Sequence, residues 1–153
     1  KLPKVNMFNS IVGQVSDKIY HLHRGQVYTI EGKTFFTMGG AESTDKEHRI
    51  IDISWWKDEI PSYAEFYEGV KNLNSHCNEV DYVITHTAPK KVFDAMLPYR
   101  LDRFDDPVNH MLESYREKII AKAWFFGHMH EDKEKVIDNT LFKCLYEKPH
   151  IIL

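Results

Sequence analysis

Two short apolar runs of strand length each stop at histidine. Asp81 to Thr85, carrying Val83 and Ile84, runs into His86 ahead of Pro89, and Ala123 to Phe126 ends at Gly127 and runs into His128, with His130 two residues on. Apolar runs this short, bounded by turn residues, read as buried strands. In α/β sheets, ligand sites form just beyond the carboxyl ends of strands. The two runs therefore predict an α/β fold in which residues distant in sequence converge at one edge of a sheet.

The rest of the chain supplies the other parts of such a fold. Lys18 to His23, Gln26 to Ile30 and Lys33 to Met38 are rich in Tyr, Val, Ile, Thr and Phe and are separated by Gly25 and Glu31-Gly32. They predict short strands joined by tight turns, arranged as an antiparallel meander. After Gly39-Gly40 the sequence turns polar as far as Arg49. Ser62, with Glu65 three residues on, has the form of a capping box opening a helix from Tyr63 to Leu73. Residues Lys90 to Asp106, next to Pro98 and Pro107, predict a mobile loop or a short helix. From Val108 to Lys122 the apolar residues Met111, Leu112, Tyr115, Ile119 and Ile120 recur near the helical period. Val136 to Asp138 and Leu141 to Leu145 flank Asp138-Asn139 and predict a terminal hairpin. Lys1 to Asn9 reads as loop, and the absence of an initiator Met leads us to expect a piece of a longer protein.

With 153 residues, one domain is expected. A formal charge of -3 offers no broad attraction to a nucleic-acid backbone. No apolar stretch approaches the roughly 20 residues that span a bilayer, so no membrane partner is expected. Cys77 and Cys144 form no C-x-x-C pair, which fits a reducing cytoplasm better than a disulfide framework.

In extended backbone, alternate residues point the same way about 6.5 to 7 Å apart. His128 and His130 would then share one cavity while Met129 packs the other way, and Gly127 would supply a sharp turn through positive φ. That spacing suits two neighbouring metals, which in phosphoryl-transfer sites lie about 3.5 to 4 Å apart.

Gly39-Gly40-Ala41 with Ser43 and Asp45, then Thr85-His86-Thr87-Ala88-Pro89, then Gly127-His128-Met129-His130 follow one another across nearly the whole chain. In order and separation they resemble the last three sequence blocks of the calcineurin-like metallophosphoesterases. Trp55-Trp56, Glu59 and Pro61-Ser62 resemble a bacterial and phage branch that includes serine/threonine phosphatases. The resemblance implies a four-layer α/β/β/α sandwich of which this chain, residues 1–153, is a single partial domain, the C-terminal half with a mixed sheet and flanking helices. It implies two divalent metal ions (manganese, iron, zinc or similar), His86 and His128 on one and His130 on the other. A metal-bridging hydroxide would hydrolyse phosphate mono- or diesters. The family's Asp-x-His, Gly-Asp-x-x-Asp and Gly-Asn-His-Asp/Glu blocks are absent, and with the last goes the usual proton donor. The fragment alone is therefore expected to be inactive. Its expected partners are a phosphoester substrate and either the missing half or, through exposed strand edges, a copy of itself. A non-catalytic binding or assembly module, or one subunit of a split enzyme, are the rival readings.

Other residues divide between bland and sharp readings. Arg49 either holds a substrate phosphate through its guanidinium fork or is a solvated surface arginine. Asp45 either orients a ligand histidine or caps a turn. Gly39-Gly40 is a turn, or lets a loop approach the metals. Trp55 and Trp56 are candidates for stacking on a base or aromatic leaving group, with at least one in the core. His21 and His23 read as a surface strand face, and His48, His76, His110 and His150 as surface residues.

Overall fold

Ser62 opens the first helix by satisfying its leading N–H groups. The Ser62 hydroxyl accepts from the Glu65 N–H, and the Glu65 carboxylate accepts from the Ser62 N–H at 2.7 Å. Helix α1 spans Tyr63–Ser75, one turn-fraction longer than its apolar period indicates. The computed structural model describes residues 2–43, 45–99 and 106–152. Within them, Lys90–Met96 form the short helix α2 and Pro107–Arg116 form α3. Residues 100–105 of the expected loop lie outside the described residues. Asp106 caps α3 by accepting from the Val108 N–H at 2.8 Å, with Pro107 at the first helical position.

Among the described residues there are nine strands. They are β1 (Lys4–Met7), β2 (Ser10–Ser16), β3 (Ile19–Leu22), β4 (Gln26–Ile30), β5 (Lys33–Met38), β6 (Glu79–Thr85), β7 (Ile120–Phe126), β8 (Lys133–Ile137) and β9 (Thr140–Cys144). Strands β1-β2-β3 form a small antiparallel sheet, and the remaining six pair in the order β4-β5-β6-β7-β9-β8. Strands β5, β6, β7 and β9 run parallel, while β4 and β8 are antiparallel edges. The fold is thus mixed α/β with a six-stranded mixed sheet. Among the described residues no helix is long and apolar enough to cross a membrane.

Three expectations are corrected. Lys1 to Asn9 is not all loop, because Phe8 and Asn9, both at positive φ, close a two-residue turn that pairs β1 with β2. The meander also breaks: β3 pairs with β2 in the small sheet, and β4 opens the large one. The helix expected to reach Lys122 stops at Arg116. Ile120 continues the helical period in sequence, but it pairs opposite Glu79 as the first residue of β7. Sheet pairing there overrides a local pattern that extended the helix. The hairpin at Asp138-Asn139 forms with both turn residues at positive φ.

All three helices cover one face of the large sheet. Leu73 from α1, Val92 and Phe93 from α2, and Leu112 from α3 pack with Phe36, Val83, Trp124 and Phe142 in one buried cluster. On the opposite face aromatic rings run across the strands: Phe35 to Tyr82 at 5.2 Å, Tyr82 to Phe125 at 6.0 Å, and Phe125 to His150 at 5.0 Å. The small sheet joins the large one through buried Tyr28, whose hydroxyl donates to the Ile11 carbonyl and accepts from the His23 N–H.

Asp81 ties the middle strands together at the end where β6 and β7 begin. Its carboxylate accepts from the Thr34 N–H at 2.9 Å on β5 and from Lys122 at 2.6 Å on β7. The Lys122 bond, with help from Thr34, holds its pKa down at about 2. A depressed folded pKa means stability that is present above the ordinary carboxylate range and lost as pH falls through about 2. Asp81→Asn should therefore unfold about 1 kcal/mol more easily at neutral pH. In denaturant titrations the gap from the parent should close as pH is taken from 4 toward 2.

Candidate functional site

The carboxyl ends of β5, β6 and β7 deliver three loops to one edge of the sheet. A cleft of about 660 Å³ opens there, lined by Gly40, Ala41 and Ser43 after β5, by His86 after β6, and by His128, Met129 and His130 after β7. Arg49, Asp45 and Glu59 form a further wall and Arg24 another. All four residues proposed from the sequence as ligands or substrate contacts thus border one space.

His86 is placed by a buried hydrogen-bonded knot. Trp124 Nε1 donates to the Thr85 hydroxyl at 2.9 Å, which donates to the Thr87 carbonyl at 2.6 Å. Asn109 of α3 donates to the Thr87 hydroxyl and, at 2.6 Å, to the Ala88 carbonyl. The bend after β6 is therefore braced by β7 and α3, and the His86 carbonyl accepts from the Gly127 N–H at 3.0 Å.

His128 and His130 reach the cleft differently from the extended-strand expectation. Strand β7 ends at Phe126, and His128 and His130 have φ of 66° and 52°. The left-handed turns fall on the histidines and not on Gly127, where an added Cβ would meet nothing nearer than the Leu145 carbonyl at 3.6 Å. Met129 does pack inward, at 2% exposure. Burial of its side chain holds two residues in a conformation that costs a non-glycine residue on the order of 1 kcal/mol or more.

The imidazoles are not equivalent. His86 Nε2 lies 3.1 Å from His128 Nδ1, with ring centroids 4.8 Å apart. His130 stacks on Tyr146, with centroids 5.0 Å apart and planes inclined by 19°. Although His86 opens onto the cleft, the protein mass around it lowers its pKa, against the opposing charges of Asp106 and Glu59. Its neutral, lone-pair form is the favoured one. Among the described residues, no three His, Cys, Asp or Glu side chains gather closely enough to hold a metal ion.

Neither reading of Asp45 describes what it does. Its side chain makes no cap bond to the short 3-10 turn Lys46–His48 that it precedes, and it accepts instead from Arg49 Nε at 2.7 Å. Arg49 Nη1 donates to the Ser54 carbonyl at 3.0 Å, so its guanidinium is held in place at the cleft wall. Gly40 lets its loop lie against the backbone of Glu59 and the ring of Pro61, a contact that neither reading of Gly39-Gly40 named. With φ at 118°, it has the Glu59 carbonyl 2.5 Å from where a Cβ would stand. The Ser43 hydroxyl then donates to the Glu59 carboxylate.

Several cleft residues were not picked out from sequence. Asp106 accepts from the Glu42 N–H at 3.0 Å as well as capping α3, and its charge acts on His86. The Asp106-Pro107 pair was the available signal, since it is a helix-start signature. Arg24 and Tyr146 carried no local signal, because only the pairing of distant elements brings Arg24 to the cleft and Tyr146 against His130, whereas Glu59 stood out only within the resemblance. Trp55 is half-buried and Trp56 is 47% exposed. His21 is exposed, but His23 lies past the end of β3 and is half-buried, with its pKa lowered mainly by burial. His48, His76, His110 and His150 are all exposed.

Replacing Gly40 by Ala should cost on the order of 3 kcal/mol, through a forbidden φ and the clash with Glu59. A melting temperature within a degree or so of the parent would refute that account of the loop.

A comparison with known protein families finds no matching family model, and a comparison with characterised proteins finds no significant match.

Proposed function

We propose that this chain is the C-terminal part of a metal-dependent phosphoesterase acting on phosphate mono- or diesters. The reading rests on the resemblance in the three sequence blocks and on one observation, the 3.1 Å approach of His86 Nε2 to His128 Nδ1 at the strand ends. Two imidazole nitrogens on one ion, with bonds of about 2.0–2.1 Å, stand roughly 3.0–3.4 Å apart between octahedral and tetrahedral angles. The pair thus fits as two ligands of a single ion. His130, stacked on Tyr146, belongs with a second ion. This is the division that the resemblance implies.

The remaining donors would come from sequence outside this chain, as would the proton donor. Four-layer closure would come from a second sheet laid on the aromatic face of Phe35, Tyr82 and Phe125. Divalent metals, when bound, supply Lewis-acid activation of the phosphoryl group and of water. This chain's own residues hold the ions through neutral imidazoles and orient the ester. Arg49, fixed by Asp45 and Ser54, presents its guanidinium to the cleft as the phosphate holder. Asp106 and Glu59 set the field around His86 without ligating. A reducing cytoplasm belongs to the same reading, with Cys77 and Cys144 as unpaired thiols.

Two imidazoles make a weak site, so the chain alone should bind manganese or zinc with a Kd no tighter than about 10 μM and turn over no p-nitrophenyl phosphate. His86→Ala and His128→Ala should each abolish the first binding event in calorimetry. Affinity should fall with falling pH as the imidazoles protonate, and because burial lowers the His86 pKa that ligand is lost only below the range of free imidazole. The assignment fails if His128→Ala binds metal as the parent does. Tight binding of two ions by the unaided chain would overturn the incomplete-site argument.

A further inference from the structure

Residues 50–56 leave the cleft wall at Arg49 and return to it at Glu59, and they carry four large apolar side chains outward. Ile50 is 62% exposed, Ile51 47%, Ile53 69% and Trp56 47%. Loose backbone does not explain this display. The Ile50 carbonyl accepts from the N–H groups of Ser54 and Trp55, and the Ile50 N–H donates to the Ser54 hydroxyl at 2.9 Å. The Asp52 N–H donates to the Trp55 carbonyl at 2.8 Å, with Asp52 at φ 61°. The loop bonds backbone groups within itself, turns Trp55 partly inward with its Nε1 buried and without a hydrogen-bond partner among the described residues, and leaves the other four apolar side chains to solvent.

Both of its ends are bonded to cleft residues. Arg49 Nη1 donates to the Ser54 carbonyl, and the Glu59 N–H donates to the Trp56 carbonyl. Four large apolar side chains within seven residues, held out by an internally bonded loop, offer an apolar surface for contact. Joined rigidly to a wall that offers a guanidinium and imidazoles, it matches a ligand with an anionic end and an apolar end.

From this arrangement we infer that Ile50, Ile51, Ile53 and Trp56 form a leaving-group subsite, which selects phosphoesters of aromatic or branched apolar alcohols over sugar-type phosphates. The inference rests on the phosphoester reading and names its substrate class. Trp56 offers a flat ring for stacking, and the three isoleucines precede it within six residues. None of these four side chains lines the cleft that holds Arg49 and the histidines, so inorganic phosphate bound there would leave them untouched.

Calorimetric titration of the full chain with excess manganese tests this, with inorganic phosphate, glycerol 2-phosphate and 2-naphthyl phosphate as probes. 2-Naphthyl phosphate should bind about tenfold tighter than the other two, the size of one stacking contact. Trp56→Ala should erase that preference and leave inorganic phosphate affinity unchanged. Ile53→Ser, at the most exposed of these positions, should reduce it two- to threefold and guards against a folding defect in the first variant. Equal affinities for all three probes, or a loss in Trp56→Ala shared by every probe, overturn the subsite while leaving the phosphoester reading intact. If Trp56→Ala instead converts a dimer to a monomer in sedimentation without altering probe preference, the patch belongs to a second copy of the chain and the inference fails. If no phosphate compound binds, and His128→Ala matches the parent in metal titration, the phosphoester reading falls and takes this inference with it.

Discussion

Parallel pairing of β5, β6, β7 and β9 is the constraint from which the site follows. Strands that run the same way must present their carboxyl ends along one edge, so the loops after Met38, Thr85 and Phe126 have no other place to go. The helices that return the chain between these strands cover one face and bury a single apolar cluster. Asp81 and Lys122 tie the strand starts, and the Trp124–Thr85–Thr87 chain ties the strand ends. Between the two ties the spacing of the strands is set, and with it the distance between His86 and His128.

The cleft is built from backbone that is costly in isolation. His128 and His130 are held in left-handed conformations around the buried Met129, while Gly40 reaches its positive φ freely because it lacks a Cβ, with Glu59 and Pro61 packed against it. Strained residues gathered at one edge of a braced sheet are the backbone feature that makes this edge the candidate site. Charge follows the same plan. Asp45 and Ser54 fix Arg49, while Asp106 and Glu59 face His86 without ligating positions of their own.

Local signals were legible where a residue's role is local. Ser62 with Glu65, Asp138 with Asn139, and the strands Gln26–Ile30 and Lys33–Met38 need only their neighbours to define them, and they stand where the sequence reading put them. The failures involve competition. Ile120 and Ala121 fit a helix as well as a strand start, and only pairing with Glu79 and Val80 decides between them. Strand β1 is too short to show a period and exists because β2 lies beside it. Arg24 lines the cleft and Tyr146 stacks on His130 from segments that carry no signature of the site.

By itself, the sequence determined that histidines would stand at the ends of two buried strands and that the chain would build a helix-covered α/β sheet, because apolar period and turn chemistry are read from adjacent residues. Tertiary structure alone decided that His86 pairs with His128 while His130 turns to Tyr146, and that the turns at His128 and His130 are left-handed. It also decided that Asp45 serves Arg49 and not a histidine. Those outcomes depend on which strand lies beside which and on where Met129 finds room in the core, and no window of adjacent residues contains that information.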